Sequence, residues 1–142
     1  MIKNRFLFYL LSLTWGLPMT LIGFIVATAL WTVGLKHKER GYCYCFEIGN
    51  NWGGVNLGMV CITSKNPSQS VIAHECGHSQ QNCLFGPFII IISIMSFVRY
   101  WYREIRNIIN KPCNTGYYNI WFEKQADEFG ENFFAWYENN TK

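Results

Sequence analysis

Charged side chains are scarce: they make up 15% of the 142 residues, and between Phe6 and Leu35 there is none. A disordered tail, which relies on charge to stay solvated, is thereby excluded. Histidine is scarcer still, with three in the chain, and Asp127 is the single aspartate. A site built from imidazole and carboxylate therefore has few members to draw on. No C-x-x-C pair occurs among Cys43, Cys45, Cys61, Cys76, Cys83 and Cys113, which argues against a zinc knuckle. Basic residues form no separate stripe and the net charge is only +3, so nucleic acid is not an expected partner.

Apolar residues abound instead, at half of the chain, with 18% aromatic. In a chain of this length that balance implies one modest domain in contact with membrane lipid. The uncharged run Phe6 to Leu35 exceeds the ~20 residues that a helix needs to cross a bilayer. Trp15-Gly16-Leu17-Pro18 interrupts it, and Pro18 suits the first turn of a helix better than its middle. A short interfacial helix followed by one span from Pro18 to near Leu35 is the preferred arrangement, and a hairpin dipping into the membrane is the other. A cleaved signal peptide, with Ala27-Thr28-Ala29 as its cleavage site, would need an unusually long apolar core. Residues 1–36 are thus expected to form a membrane anchor and 37–142 the working domain. Lys36, Lys38 and Arg40 outnumber Lys3 and Arg5, which places that domain on the cytoplasmic side, where cysteines stay reduced.

The expected fold is α+β: mostly helical, with a small β-hairpin or sheet beside one motif helix. Gly41 to Thr63 reads as the strands, with a turn at Gly49-Asn50-Asn51 and a second run from Val55 to Thr63. Asn66 is the expected N-cap, Pro67 the first helical residue, and Gly86-Pro87 the stop near Phe85. Phe88 to Val98 is apolar over 11 residues, too short to span, and Arg99-Tyr100-Trp101-Tyr102-Arg103 has the character of a membrane boundary. The segment 86–103 is expected to be partly immersed, with an ordinary core helix as the alternative. A last helix begins near Asn119.

His74-Glu75-Cys76-Gly77-His78 carries the chemistry. Residues four apart on a helix share a face, so both imidazoles can bind one zinc ion, and Glu75 lies close enough to act as general base. A catalytic zinc usually has three protein ligands. Residue 84 is Leu, which excludes the H-x-x-G-x-x-H class, so a carboxylate must complete the set. Glu123 is the chosen candidate. With Ala126, Asp127 and Gly130 it recurs on one face of the last helix, and the two small residues allow close docking. Asp127, one turn on, is placed to orient a ligand imidazole. Glu128 and Glu131 lie off that face. Cys76, two residues from both histidines, is turned away from them, which weakens a closed structural site using Cys76 or Cys83.

H-E-x-G-H followed by E-x-x-A-D resembles the glutamate-zincins, and within them the membrane-bound zinc peptidases that include the CAAX prenyl protease and bacterial heat-shock membrane proteases. It is also similar to small bacterial membrane proteins with such a motif helix. The resemblance covers about a third of the chain, and this chain lacks the several spans of those proteases. It implies zinc held by His74, His78 and Glu123, Glu75 as catalytic base, and Asp127 in support. A peptide or protein substrate would then pair along a strand beside the motif helix, at Val55, Asn56, Leu57, Gly58 and Met59. Tyr117 and Tyr118 are candidate donors to the developing oxyanion, with nothing to choose between them. Site-2-type intramembrane proteases share the motif, but Ser79, Gln80, Gln81 and Asn82 are too polar for a spanning helix. A non-enzymatic membrane protein, binding structural metal or serving as a binding module, is the competing class.

Overall fold

The computed structural model describes residues 1–111 and 120–140. It is α+β, mostly helical, with one small sheet. Asn4 caps the first helix, α1 (Arg5–Leu13), by accepting from the Leu7 amide. Pro18 sits in the first turn of α2 (Leu17–Thr32), as its missing N–H and fixed φ favour. The two helices meet at 91°. Neither stands apart from the body. Phe8 of α1 joins a core with Tyr42, Cys83 and Phe133, and Ala27 of α2 packs with Phe46 and Val60.

Four strands follow: β1 (His37–Arg40), β2 (Cys43–Glu47), β3 (Gly54–Leu57) and β4 (Val60–Thr63), in the order β1-β2-β4-β3. The expected second run is two strands. Leu57 pairs with Val60 across a two-residue turn at Gly58 and Met59, and Gly58 takes φ +70, a conformation open to glycine. A methyl group there would also press on the Thr20 backbone of α2. β4 then returns parallel to β2, so the expected simple hairpin is replaced by a small mixed sheet. β1 has no apolar alternation to announce it; Lys38 pairs with Glu47 across β1 and β2 at 2.8 Å.

The parallel register sets Cys45 opposite Cys61, and the two are disulfide-bonded. Free thiols were expected throughout; Cys43, Cys76 and Cys83 are free and buried, but this pair is not. Sixteen residues apart in sequence, they become neighbours only through the strand pairing.

The motif helix α3 (Gln69–Phe85) begins two residues later than expected. Ser68 is its N-cap and accepts from the Val71 amide, while Asn66 lies before the helix in the left-handed region at φ +53. Both arrangements use a small polar side chain at the cap, which is why the pattern alone misplaced it. Gly86, at φ +56, ends α3 and opens a single 3-10 turn (Gly86–Phe88) into α4 (Ile89–Ile108). The apolar stretch is thus carried inside a longer helical run. An 18-residue window within the helical run Gln69–Ile108 is long and apolar enough to cross a membrane, which the 11 apolar residues alone are not.

The last helix, α5 (Trp121–Asn140), crosses α3 at backbone contact. A methyl group on Gly77 would overlap the Ala126 carbonyl, and one on Gly130 would overlap the Ala73 carbonyl. Gly130→Val should therefore destabilise the protein by at least the 1–3 kcal/mol typical of overpacking. A thermal melt in detergent should show it, with the exposed Lys124→Ala as a near-neutral control.

Candidate metal centre

α3 offers His74 and His78 on one face, one turn apart, and the close crossing of α5 brings Glu123 to the same point. The Nε2 atoms of the histidines are 3.1 Å apart, and Glu123 Oε2 lies 3.2 Å from one and 3.5 Å from the other. A tetrahedral ion with bonds of ~2.0–2.1 Å would hold its ligand atoms about 3.3 Å apart. The donor set therefore fits a metal ion, and these three residues could hold one. Burial reinforces the fit, because Glu123 is only 1% exposed, where an isolated carboxylate would be costly.

Each imidazole is oriented from its far side. Asp127 Oδ1 lies 2.7 Å from His74 Nδ1, the place that the helical spacing anticipated. Gln81 Oε1 lies 2.8 Å from His78 Nδ1, and its Nε2 donates to the Phe122 carbonyl and to Gln125 Oε1. Each acceptor favours the tautomer that carries its proton on Nδ1 and leaves Nε2 to bind. Gln81 was missed in the sequence because it was counted only among the polar residues that argue against a spanning helix; its position one turn from His78 was the available signal.

Electrostatics follow the same geometry. Burial works to lower the His74 pKa, but the hydrogen bond to Glu123, the charge of Glu75 and the hydrogen bond to Asp127 outweigh it, raising it to about 9. Burial would raise Glu123, yet hydrogen bonds from His74 and His78, the charge of His78 and the Ser96 hydroxyl hold it below the usual carboxylate range. Glu75 moves the other way: burial raises it, and the charges of the two histidines only partly compensate. Its Oε2 has no hydrogen-bond partner among the described residues. A buried carboxyl with a raised affinity for protons, beside a candidate ligand set, has the character of a general base.

The three groups open on a cleft of about 1160 Å³, with β3 on one side and α4 on the other. β3 is an edge strand of the sheet. Gly54 lies against the Glu75 carboxylate, so a Cβ at that position would sit 2.6 Å from Glu75 Oε1. The Asn56 amide fixes the strand to α3 through the Glu75 carbonyl and the Ser79 hydroxyl, at 2.9 and 2.7 Å. Of the strand residues singled out above, Val55, Asn56 and Leu57 line the cleft. Gly58 and Met59 form the turn, and Met59 is buried.

Cys76 faces the Arg40 carbonyl and Cys83 faces Ser12, both on the side of α3 away from the histidines, which removes them as ligands. His37 is remote, bonded to Trp31. Glu131, discounted above, and Glu104 do line the cleft, though neither joins the ligand cluster. Tyr117 and Tyr118 lie outside the described residues. No family model, curated protein or solved structure matches the chain.

Removing the acceptor behind an imidazole tests this construction. Gln81→Leu and Asp127→Ala should each weaken metal binding about 10–100-fold. Glu123→Ala, which removes a ligand, should weaken it further; chelator competition on the purified protein orders the three.

Proposed function

We propose that the protein is a membrane-associated zinc peptidase of the glutamate-zincin type. The observation that carries this reading is the convergence of His74, His78 and Glu123 beside the buried Glu75 carboxylate, whose Oε2 has no hydrogen-bond partner among the described residues, in a cleft bounded by an edge strand. A structural site has no use for such a base.

His74, His78 and Glu123 would hold the ion, which supplies Lewis acidity and lowers the pKa of water at the site. Glu75 takes a proton from the attacking water and returns it to the leaving amine, a double role that its raised proton affinity suits. The free edge of β3 offers backbone donors and acceptors to an extended peptide. Asp127 and Gln81 hold the imidazoles in one tautomer throughout. The cleft walls are largely apolar, with Met19, Ile22, Ile89 and Ile92 among the residues that line them.

The membrane reading rests on α4. Only Ile89 and Ile92 of its 20 residues are buried, while Ile91, Met95, Val98, Ile105 and Ile108 are exposed and lie off the cleft. Its polar members Ser93, Ser96 and Arg103 line the cleft together with apolar Ile90, Ile94, Phe97 and Trp101. An outward apolar face of that length belongs in lipid. Exposed Leu21 and Ile25 of α2 extend the same surface, and on this reading residues 1–36 are its second anchor. The basic residues after α2 favour a cytoplasmic domain; the Cys45–Cys61 bond pulls toward an oxidising face.

Two experiments decide. The detergent-purified full chain should contain about one zinc, His78→Ala should lose it, and Glu75→Gln should keep it while losing cleavage of fluorescent casein. Zinc undiminished in His78→Ala would remove the assignment. For orientation, a cysteine placed at exposed Lys38 should resist an impermeant maleimide in intact cells if the domain is cytoplasmic; rapid labelling reverses the orientation.

A further inference from the structure

Between Ile89 and Val98 the chain carries two polar residues, Ser93 and Ser96, in an otherwise aliphatic and aromatic run. Three apart, they share the face of α4 that lines the cleft. A serine in an apolar helix commonly spends its hydroxyl on a carbonyl of the preceding turn. Ser96 does not. It donates to Oε1 of Glu123, across the gap between α4 and α5. The other carboxylate oxygen, Oε2, is the one aimed at the Nε2 atoms of His74 and His78. The two oxygens of one carboxylate are therefore divided between two tasks.

We propose that Ser96 is a positioning residue of the metal centre: by occupying Oε1 it makes Glu123 a one-oxygen ligand and so keeps a coordination position open for substrate. This rests on the peptidase reading above. The physical argument is one of count. Two imidazoles and a carboxylate bound through both oxygens would fill four positions, whereas a catalytic zinc needs one left for water or substrate. Glu123 is nearly fully buried, so its second oxygen has no solvent to turn to and must find either a donor or the metal. Ser96 is the donor. It also joins α4, whose buried residues are Ile89 and Ile92, to the site as one of its walls.

The probe is cobalt(II) in place of zinc, bound to the full chain in detergent, with zinc affinity measured in parallel by chelator competition. Ser96→Ala should lower zinc affinity about 10–100-fold, and it should weaken the visible cobalt absorption as Oε1 enters as an added ligand. Ser96→Thr, which keeps the hydroxyl, should restore both. A Ser96→Ala protein with unchanged affinity and an unchanged cobalt spectrum overturns the inference alone, provided that His78→Ala abolishes binding. Loss of both signals in Ser96→Ala without recovery in Ser96→Thr also overturns it, since the hydroxyl would then not be the cause. A wild-type chain that binds neither metal overturns this inference together with the peptidase reading.

Discussion

The site depends on a contact between two backbones. α3 and α5 cross where Ala73 and Gly77 meet Ala126 and Gly130, and each glycine lies against a carbonyl of the other helix. Side chains of ordinary size would hold such helices 8–10 Å apart. Here the approach is closer, and it lets a carboxylate two bonds past its Cβ reach a point shared with two imidazoles. Glu123 stands one turn before Ala126, His78 next to Gly77, and the Asp127–His74 bond closes the other end of the contact. The ligand geometry is a consequence of the crossing.

The C-terminal half of α3 is enclosed on nearly every side although its composition is polar. Ser79, Gln80, Gln81 and Asn82 are all buried, and each holds a different element. Ser79 meets Cys43 of β2 and Asn56 of β3; Gln80 bonds the Ile2 backbone; Gln81 holds His78 and α5; Asn82 ties the corner between α1 and α2 through Gly16 and Thr20. Buried polar groups are costly unless paired, so this consecutive run acts as a set of keyed contacts that admits one packing. α4 differs: Ile91, Met95, Val98 and Ile105 form an exposed apolar face, while Ser93 and Ser96 face the cleft.

The parts fixed by short-range chemistry were legible from the chain: the bounds of α2 around Pro18, the end of α3 at Gly86, the shared face of His74 and His78, and the small-residue face of α5 with Asp127 one turn from Glu123. All follow from helical periodicity and from residues that tolerate one backbone conformation, and these act within a few positions. The sheet order was not legible. Nothing in Val55 to Thr63 states that β4 will pair with β2 in parallel, and the Cys45–Cys61 neighbourhood comes only with that pairing. β1, four polar residues at an edge, gives no pattern at all.

Sequence alone thus determined which residues could bind a metal, because ligand type and helical spacing are local properties. Which groups support them was decided by tertiary structure. Gln81 and Ser96 look like ordinary polar residues, one on a polar helix and one in an apolar run, until α5 and α4 are packed against α3. A hydrogen bond between segments 27 residues apart has no signature in either segment, since its two halves are selected by a distance that exists only after folding.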